Sequence, residues 1–568
     1  MNTAINKKQS IRRIVSAIVA LFLTASLLLL SSCSLISQMI FLQSLSKQGY
    51  LTEYGKNAEL EDLYDDTTEE KVDDLLSQME RLVKENDPKK TEELVSLYAD
   101  LEKVFYILSD HCNLVYVSFC QAPSSASLAK EHERLSGVLT DFYARINGLY
   151  DDIYLSHHSD LFFSDWTDDE IEEALALSKT YTEEYAEVTK ERDKYVQLYE
   201  QLDQDALSFK KKSSEYYYQI VKNNRQLALL ADVADYPTYA DSQIYGRDYT
   251  SAEIKSFCNY VKEYIVPLGE RLLADLSSSD DYFTLDCEFK KLCQQDVSFD
   301  LMKEKLTPYY NELGGDFADG FTAFDDLIFT AKDDDSLPVA FTAYQQRSGL
   351  PICYFGPEYQ TLSTYVHEQG HYFAFYLSDA SISSIDLCET HSQANEWLYL
   401  AYAERLYDEE LYKELTSYYL LNQLLTITLS CCCDTFERAV YADESLKAED
   451  YDDLFINCVR DLGAYTFLKD YMGSNLENYW HLAVISNSMY YLSYAVSLVP
   501  SIEFFLIAKE RGFDHAAELY YDLCTVSADA PFHKTILDAG LSSPFKEEVF
   551  ISIYQAFETE KNNVFRLI

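Results

Sequence analysis

The chain has 568 residues, with 95 Asp and Glu against 46 Lys and Arg, for a formal net charge of −49 at pH 7. Such a charge argues against a nucleic-acid partner, whose phosphates call for a basic surface, and against docking of the protein body on anionic lipid. With 48% hydrophobic residues the chain can bury a core, and its length allows two or more domains or one large two-lobed body.

Lys7, Lys8, Arg12 and Arg13 form a basic start, and Ile14 to Leu30 is mainly apolar. This is the pattern of a secretory signal. Leu30-Ser31-Ser32-Cys33 then resembles a bacterial lipobox, which implies cleavage and a lipid-modified Cys33 as first residue. An uncleaved anchor is the competing reading, because about 17 apolar residues is near the lower limit for a span. Both readings put the remainder outside the cytoplasm, and lipidation would attach it to the cell membrane.

Residues 34–235 are expected to form an N-terminal helical domain. Gly and Pro are sparse, and Leu60, Leu63, Val72, Leu75, Leu76 and Met79 recur with helical period. Thr167-Asp168-Asp169-Glu170 reads as a capping box opening a helix through Ile171, Ala174 and Leu175. Residues 236–568 are expected to carry the chemistry. Thr250-Ser251-Ala252-Glu253 is a second capping box. Loops are expected at Ser277 to Asp281 and at Gly314 to Gly320. Val339 to Thr342 and Ile352 to Phe355 are β-prone and are expected to form a small sheet. None of the 13 Cys forms a C-x-x-C pair, so a Cys-based zinc site has no support, and no disulfide is assigned. A phosphate-binding glycine loop and a G-x-S-x-G elbow are also missing.

The informative stretch is Val366-His367-Glu368-Gln369-Gly370-His371. On a helix, residues four apart share a face, so His367 and His371 can reach one metal ion while Glu368 takes a proton from water beside it. Thr361 is placed to cap that helix. The chain has only 10 His, which makes a chance pairing at this spacing the poorer explanation. Downstream, Asp386-Leu387-Cys388-Glu389-Thr390-His391-Ser392-Gln393-Ala394-Asn395-Glu396-Trp397 offers Glu389 as third ligand. Two His and one Glu, with a fourth position open to water, make a catalytic rather than a structural zinc set. Asp386 or Glu396 would orient the ligands.

H-E-x-G-H followed by D-x-x-E-x-x-S-Q-x-x-E-W resembles the thimet oligopeptidase and oligoendopeptidase F family of zinc metallopeptidases. Tyr239-Ala240-Asp241 and Gly246-Arg247-Asp248-Tyr249-Thr250 add a weaker match to the segment that opens the family's catalytic half. The resemblance implies zinc on His367, His371 and Glu389, with Glu368 as general base. It also implies a late His and Tyr set donating to the oxyanion, which falls on His481, Tyr490 and Tyr494. The implied fold is mainly α: a two-lobed helical zinc-peptidase architecture around a deep substrate channel, with a small β-sheet near the zinc helix. The implied activity is zinc-dependent endopeptidase cleavage of short oligopeptides. Two alternatives stay open: another H-E-x-x-H…E zinc peptidase, either an exopeptidase or one that cleaves proteins, and a non-enzymatic peptide-binding lipoprotein. Glu368 weighs against the last, since a binder needs no base.

Overall fold

The computed structural model describes residues 64–557, apart from residues 279–295, 379–381, 66, 334, 348, 528 and scattered positions within 165–181 and 201–205. The expected signal segment with Cys33 and the Thr167–Glu170 capping box lie outside the described residues.

The first helices are α1 (Thr68–Glu85), α2 (Thr91–Gln121) and α3 (Ala126–Tyr154). They form a bundle because each carries an apolar stripe of period 3.6. On α1 that stripe is Val72, Leu76, Met79, Leu82 and Val83, all buried. Asn86, in the left-handed conformation, ends α1 by returning its N–H to the Leu82 carbonyl. Leu101, Phe105, Phe142 and Ile146 continue this core from α2 and α3. With 31 residues, α2 is about 46 Å long and reaches past the bundle.

A second, much larger core begins with α4 (Glu183–Glu200) and α5 (Phe209–Leu230), through Tyr185, Tyr199, Phe209, Tyr217 and Ile220. The two cores divide between Ala174 and Tyr185, upstream of the boundary expected near residue 235. Helical periodicity is the same on both sides of that division, so it carries no information about which core a helix faces. Next come α6 (Ser251–Tyr260), α7 (Val266–Ser278), α8 (Phe299–Leu313) and α9 (Gly315–Ala323). The Thr250 capping box with Glu253 is present at the start of α6. The loop expected at Gly314 to Gly320 is instead a single residue: Gly314, at φ +115, separates α8 from α9, and the second glycine already belongs to the new helix. Likewise α7 runs through Ser277 to Ser278, and the rest of that expected loop lies outside the described residues.

The sheet has strands β1 (Ile328–Thr330), β2 (Ala340–Gln345) and β3 (Leu350–Phe355) in the order β1-β3-β2. β2 and β3 are antiparallel and pair Thr342 with Cys353; β1 is parallel to β3. Val117 and Cys120 at the end of α2 pack on Phe341, Ala343, Ile352 and Tyr354. Asp110 of α2 accepts hydrogen bonds from the Gln346 and Arg347 N–H groups at 2.8 and 2.9 Å, and the Cys120 carbonyl accepts the Leu337 N–H at 2.7 Å. The N-terminal bundle is thereby tied to the sheet next to the site.

The sheet is followed by α10 (Leu362–Ser378), α11 (Ile385–Ala403), α12 (Glu409–Ala442), α13 (Tyr451–Asp461), α14 (Tyr479–Ala483), α15 (Leu492–Arg511) and α16 (Phe513–Cys524). Except for Glu396, every α11 residue is buried, so this helix is the axis around which α10, α15 and α16 pack. The ten described cysteines form no disulfide.

Within the bundle, Glu102 is 3% exposed, and its Oε1 has no hydrogen-bond partner. Burial pushes its carboxyl up to about 8, with Lys103 opposing. Below pH ~4.5 both folded and unfolded states hold the proton, so the group is neutral in its effect. Between there and pH 8 only the folded state keeps it, so stability falls as pH rises, and the loss saturates above pH 8. Glu102→Gln is therefore expected to raise the unfolding temperature at pH 8.5 and to leave it nearly unchanged at pH 4.5, as read by scanning calorimetry. A pH-independent difference between the two proteins would contradict this assignment.

Candidate functional site

The site lies where α10 and α11 cross. Thr361 caps α10, its Oγ1 accepting the Thr364 N–H and its carbonyl the Tyr365 N–H; Ser384 caps α11 through the Leu387 N–H. The two helices approach closely because residue 370 is glycine. A Cβ there would stand 2.4 Å from Ser392 Cα and 2.7 Å from the His391 carbonyl oxygen. Asn395 of α11 fastens the contact by donating to the Val366 carbonyl at 2.7 Å.

This crossing brings His367, His371 and Glu389 together, with one potential ligand atom from each within 4.8 Å of the others. Glu389 Oε2 lies 3.6 Å from His367 Nε2 and 4.0 Å from His371 Nε2. His367 Nδ1 meets Glu396 Oε1 at 2.8 Å; with Nδ1 donating, the neutral ring carries its lone pair on Nε2. That Nε2 is buried and has no hydrogen-bond partner. His371 is hydrogen-bonded to the backbone of Cys388. An orphaned buried imidazole nitrogen facing a carboxylate and a second imidazole fits a divalent metal ion with nitrogen and oxygen preference.

Charges here are set by desolvation and by the neighbouring carboxylates. Burial opposes the His367 imidazolium, but Glu396, Glu389 and Glu368 outweigh it and push the group up to about 9. Burial drives His371 well below the ordinary imidazole range and raises Glu389. Glu368, 1% exposed, is pushed by burial up to about 7, while His367 and a hydrogen bond from Thr342 pull the other way. Thr342 of β2 donates to Glu368 Oε2 at 2.8 Å, which is how the sheet fixes the carboxylate next to the two histidines.

Glu396 is the residue that orients a histidine, and Tyr419 of α12 holds its other oxygen at 2.6 Å. Asp386 does not share that task. It accepts from Tyr249 at 2.7 Å and lies 3.8 Å from Arg247. Tyr490 donates to Glu389 Oε1, and the Tyr494 hydroxyl hydrogen-bonds that of Tyr490, their rings 5.0 Å apart.

His481 is not brought to the cluster. Its Nδ1 meets Ser213 Oγ at 2.8 Å, its Nε2 meets Asp452 Oδ1 at 2.9 Å, and its ring stacks on Trp480. Both ring nitrogens are engaged in joining α5 to α13, so the oxyanion position expected for His481 is corrected to a core contact. The roles of Thr342, Tyr419 and Tyr249 are hidden in the sequence because each acts across the fold. Thr342 lies in a β-prone segment just ahead of the motif and Tyr249 in the Gly246–Thr250 match, while Tyr419 has no local signal.

No family model matches the chain, and no curated protein is similar to it in sequence. Solved structures are similar in fold. A candidate oligoendopeptidase F from Bacillus anthracis str. Ames matches with a TM-score of 0.65 and 16% identity, over 89% of this chain and 97% of that one. PZ peptidase A, solved with an inhibitor, matches with a TM-score of 0.68 and 17% identity, over 88% and 98%. Oligoendopeptidase F from Enterococcus faecium matches with a TM-score of 0.52 and 11% identity, over 85% and 95%. The chain thus has the helical fold of the oligoendopeptidase F and PZ peptidase structures, with a small sheet beside the site, and the resemblance read from its two motifs holds at the level of fold.

Gly370→Ala would force backbone against backbone where α10 meets α11. It is expected to cost about 1–3 kcal/mol of stability. The affinity of the His367, His371 and Glu389 cluster for a divalent metal ion is expected to fall at least tenfold, as measured by chelator competition. Wild-type affinity and unfolding temperature would rule out the close approach as the reason for the glycine.

Proposed function

We propose that this protein is a zinc-dependent endopeptidase of short oligopeptides, tethered to the outer side of a bacterial cell membrane through Cys33. The observation that carries the reading is the buried, unpartnered His367 Nε2 directed at Glu389 and His371, beside a Glu368 carboxyl that Thr342 holds in place. The shared fold with oligoendopeptidase F and PZ peptidase structures supports it.

His367, His371 and Glu389 would hold the metal. A zinc ion there would lower the pKa of a coordinated water toward ~7 and polarise the scissile carbonyl. Glu368 takes the proton from the attacking water. Burial raises its proton affinity, so it can hold that proton and then pass it to the departing amine nitrogen. Glu396 keeps the His367 ring in the tautomer that offers Nε2. Tyr494, whose hydroxyl burial holds protonated, is the phenol assigned to donate to the substrate oxyanion, exchanging its contact with the Tyr490 hydroxyl for the substrate. Such a donor is worth roughly 2.7–4 kcal/mol in the transition state. The hydroxyl of Tyr490 is engaged with Glu389 and orients that carboxylate.

Cleavage of a quenched peptide library by the chain starting after Cys33, with metal analysis of the same sample, tests the reading. The expected result is bound zinc and cleavage, with Glu368→Gln keeping the metal and losing at least ~100-fold in kcat. Bound zinc without cleavage of any peptide would favour a peptide-binding role instead. The tether is tested separately: Cys33→Ala should lose incorporation of labelled fatty acid and move to the soluble fraction, and a labelled variant would sink the lipoprotein assignment.

A further inference from the structure

The segment joining α14 to α15 contains a residue in a conformation that side chains rarely adopt. Met489, fully buried, has φ +66. A non-glycine residue stays there only when its surroundings over-determine it. Glu437 of α12 accepts the Met489 N–H at 2.8 Å. Arg247 donates through Nη2 to the Met489 carbonyl at 2.8 Å and to Ser493 Oγ at 3.0 Å. Tyr245 donates to the carbonyl of the preceding Ser488 at 2.6 Å. Both backbone groups of Met489 are therefore gripped by buried side chains from distant parts of the chain. Gly246, at φ +57, turns the backbone between Tyr245 and Arg247, both of which reach the same segment. The next residue after Met489 is Tyr490, whose hydroxyl binds Glu389 Oε1 while Oε2 faces the two imidazoles.

We propose that Arg247 and Glu437 are positioning residues. By holding Met489 in the left-handed conformation they aim the Tyr490 hydroxyl at one oxygen of Glu389 and leave the other presented to His367 and His371. This rests on the reading of those three residues as metal ligands. It gives the Gly246-Arg247 stretch a task that its distance in sequence from the H-E-x-x-H motif hides. Glu437 is 0% exposed, and burial keeps its carboxyl neutral far above the usual range, so the role needs an acceptor and not a charge. Arg247 is also fixed by Asp241, which its Nη1 meets at 2.6 Å. Its guanidinium fork can serve the carboxylate and the Met489 carbonyl at once.

The test is zinc affinity by competition with a chromophoric chelator, together with kcat, KM and unfolding temperature, for Glu437→Gln, Glu437→Leu, Tyr490→Phe and the Glu437→Leu/Tyr490→Phe double variant. Glu437→Leu and Tyr490→Phe are each expected to weaken zinc binding by about 10- to 100-fold and to lower kcat with KM little changed. The double variant is expected to be no weaker than Tyr490→Phe, because both changes break one chain of contacts. Glu437→Gln, which still offers a carbonyl oxygen to Met489, should retain wild-type zinc affinity. If Glu437→Leu is recovered unfolded, Arg247→Lys carries the same test, since lysine keeps a charge beside Asp241 but cannot hold Met489 and Ser493 as well. Wild-type zinc affinity in a folded Glu437→Leu or Arg247→Lys protein, or losses that multiply in the double variant, would overturn the proposal. A wild-type chain that takes up no zinc would overturn the metal assignment, and this proposal with it.

Discussion

Two helix backbones touch at Gly370 and Ser392, and the site is built outward from that contact. The approach lets His367 and His371 on one helix meet Glu389 on the other without long, flexible side chains spanning the gap. Asn395 ties the pair at Val366, and Tyr310 links to both Gln369 and Asn395, so the crossing is locked by buried polar groups as well as by packing. A carboxylate held 3.6 and 4.0 Å from two imidazole nitrogens counts for more in such a dry setting than in water, because little solvent remains to screen it.

The same dryness explains why α11 can be so polar and so deeply buried. Thr390, His391, Gln393 and Asn395 would read as a solvated face, yet each has a partner. Thr390 bonds the Asp386 carbonyl, His391 the Leu523 carbonyl, Gln393 the Tyr494 carbonyl and Ser497, and Asn395 the Val366 carbonyl. Buried polar groups are costly unless satisfied, so this helix tolerates few other neighbours. Desolvation then sets the proton affinities from which the chemistry follows. Glu368 is raised to about 7, and His371 is kept from charging. The sheet contributes one hydrogen bond, from Thr342, that decides where the Glu368 carboxylate sits.

Local features were legible wherever the physics is local. The caps at Thr250 and Thr361 rest on side chains three residues from their targets, and β2 and β3 rest on short runs of β-prone residues, so neighbouring sequence suffices. His481 was misread for the opposite reason. Its partners Ser213 and Asp452 lie 268 and 29 residues away, and nothing in its neighbourhood reveals them. The Gly314-Gly315 pair suggests a loop, although a single positive φ suffices to turn between two helices. The β1 strand, three residues long and paired only through β3, is too short to carry a pattern of its own.

The amino-acid sequence by itself determined the helical class, the H-E-x-x-H face, Glu389 as the carboxylate that joins it and the resemblance to a peptidase family, because these depend on spacing along a helix and on side-chain chemistry. Tertiary structure alone decided that Glu396 orients His367 while Asp386 does not, that Tyr490 holds Glu389, and that Arg247 and Glu437 grip Met489. Those contacts join residues separated by up to 242 positions. Which of many chemically equivalent Tyr, Glu and Arg side chains meet is settled by how the helices pack, and packing is a property of the whole chain.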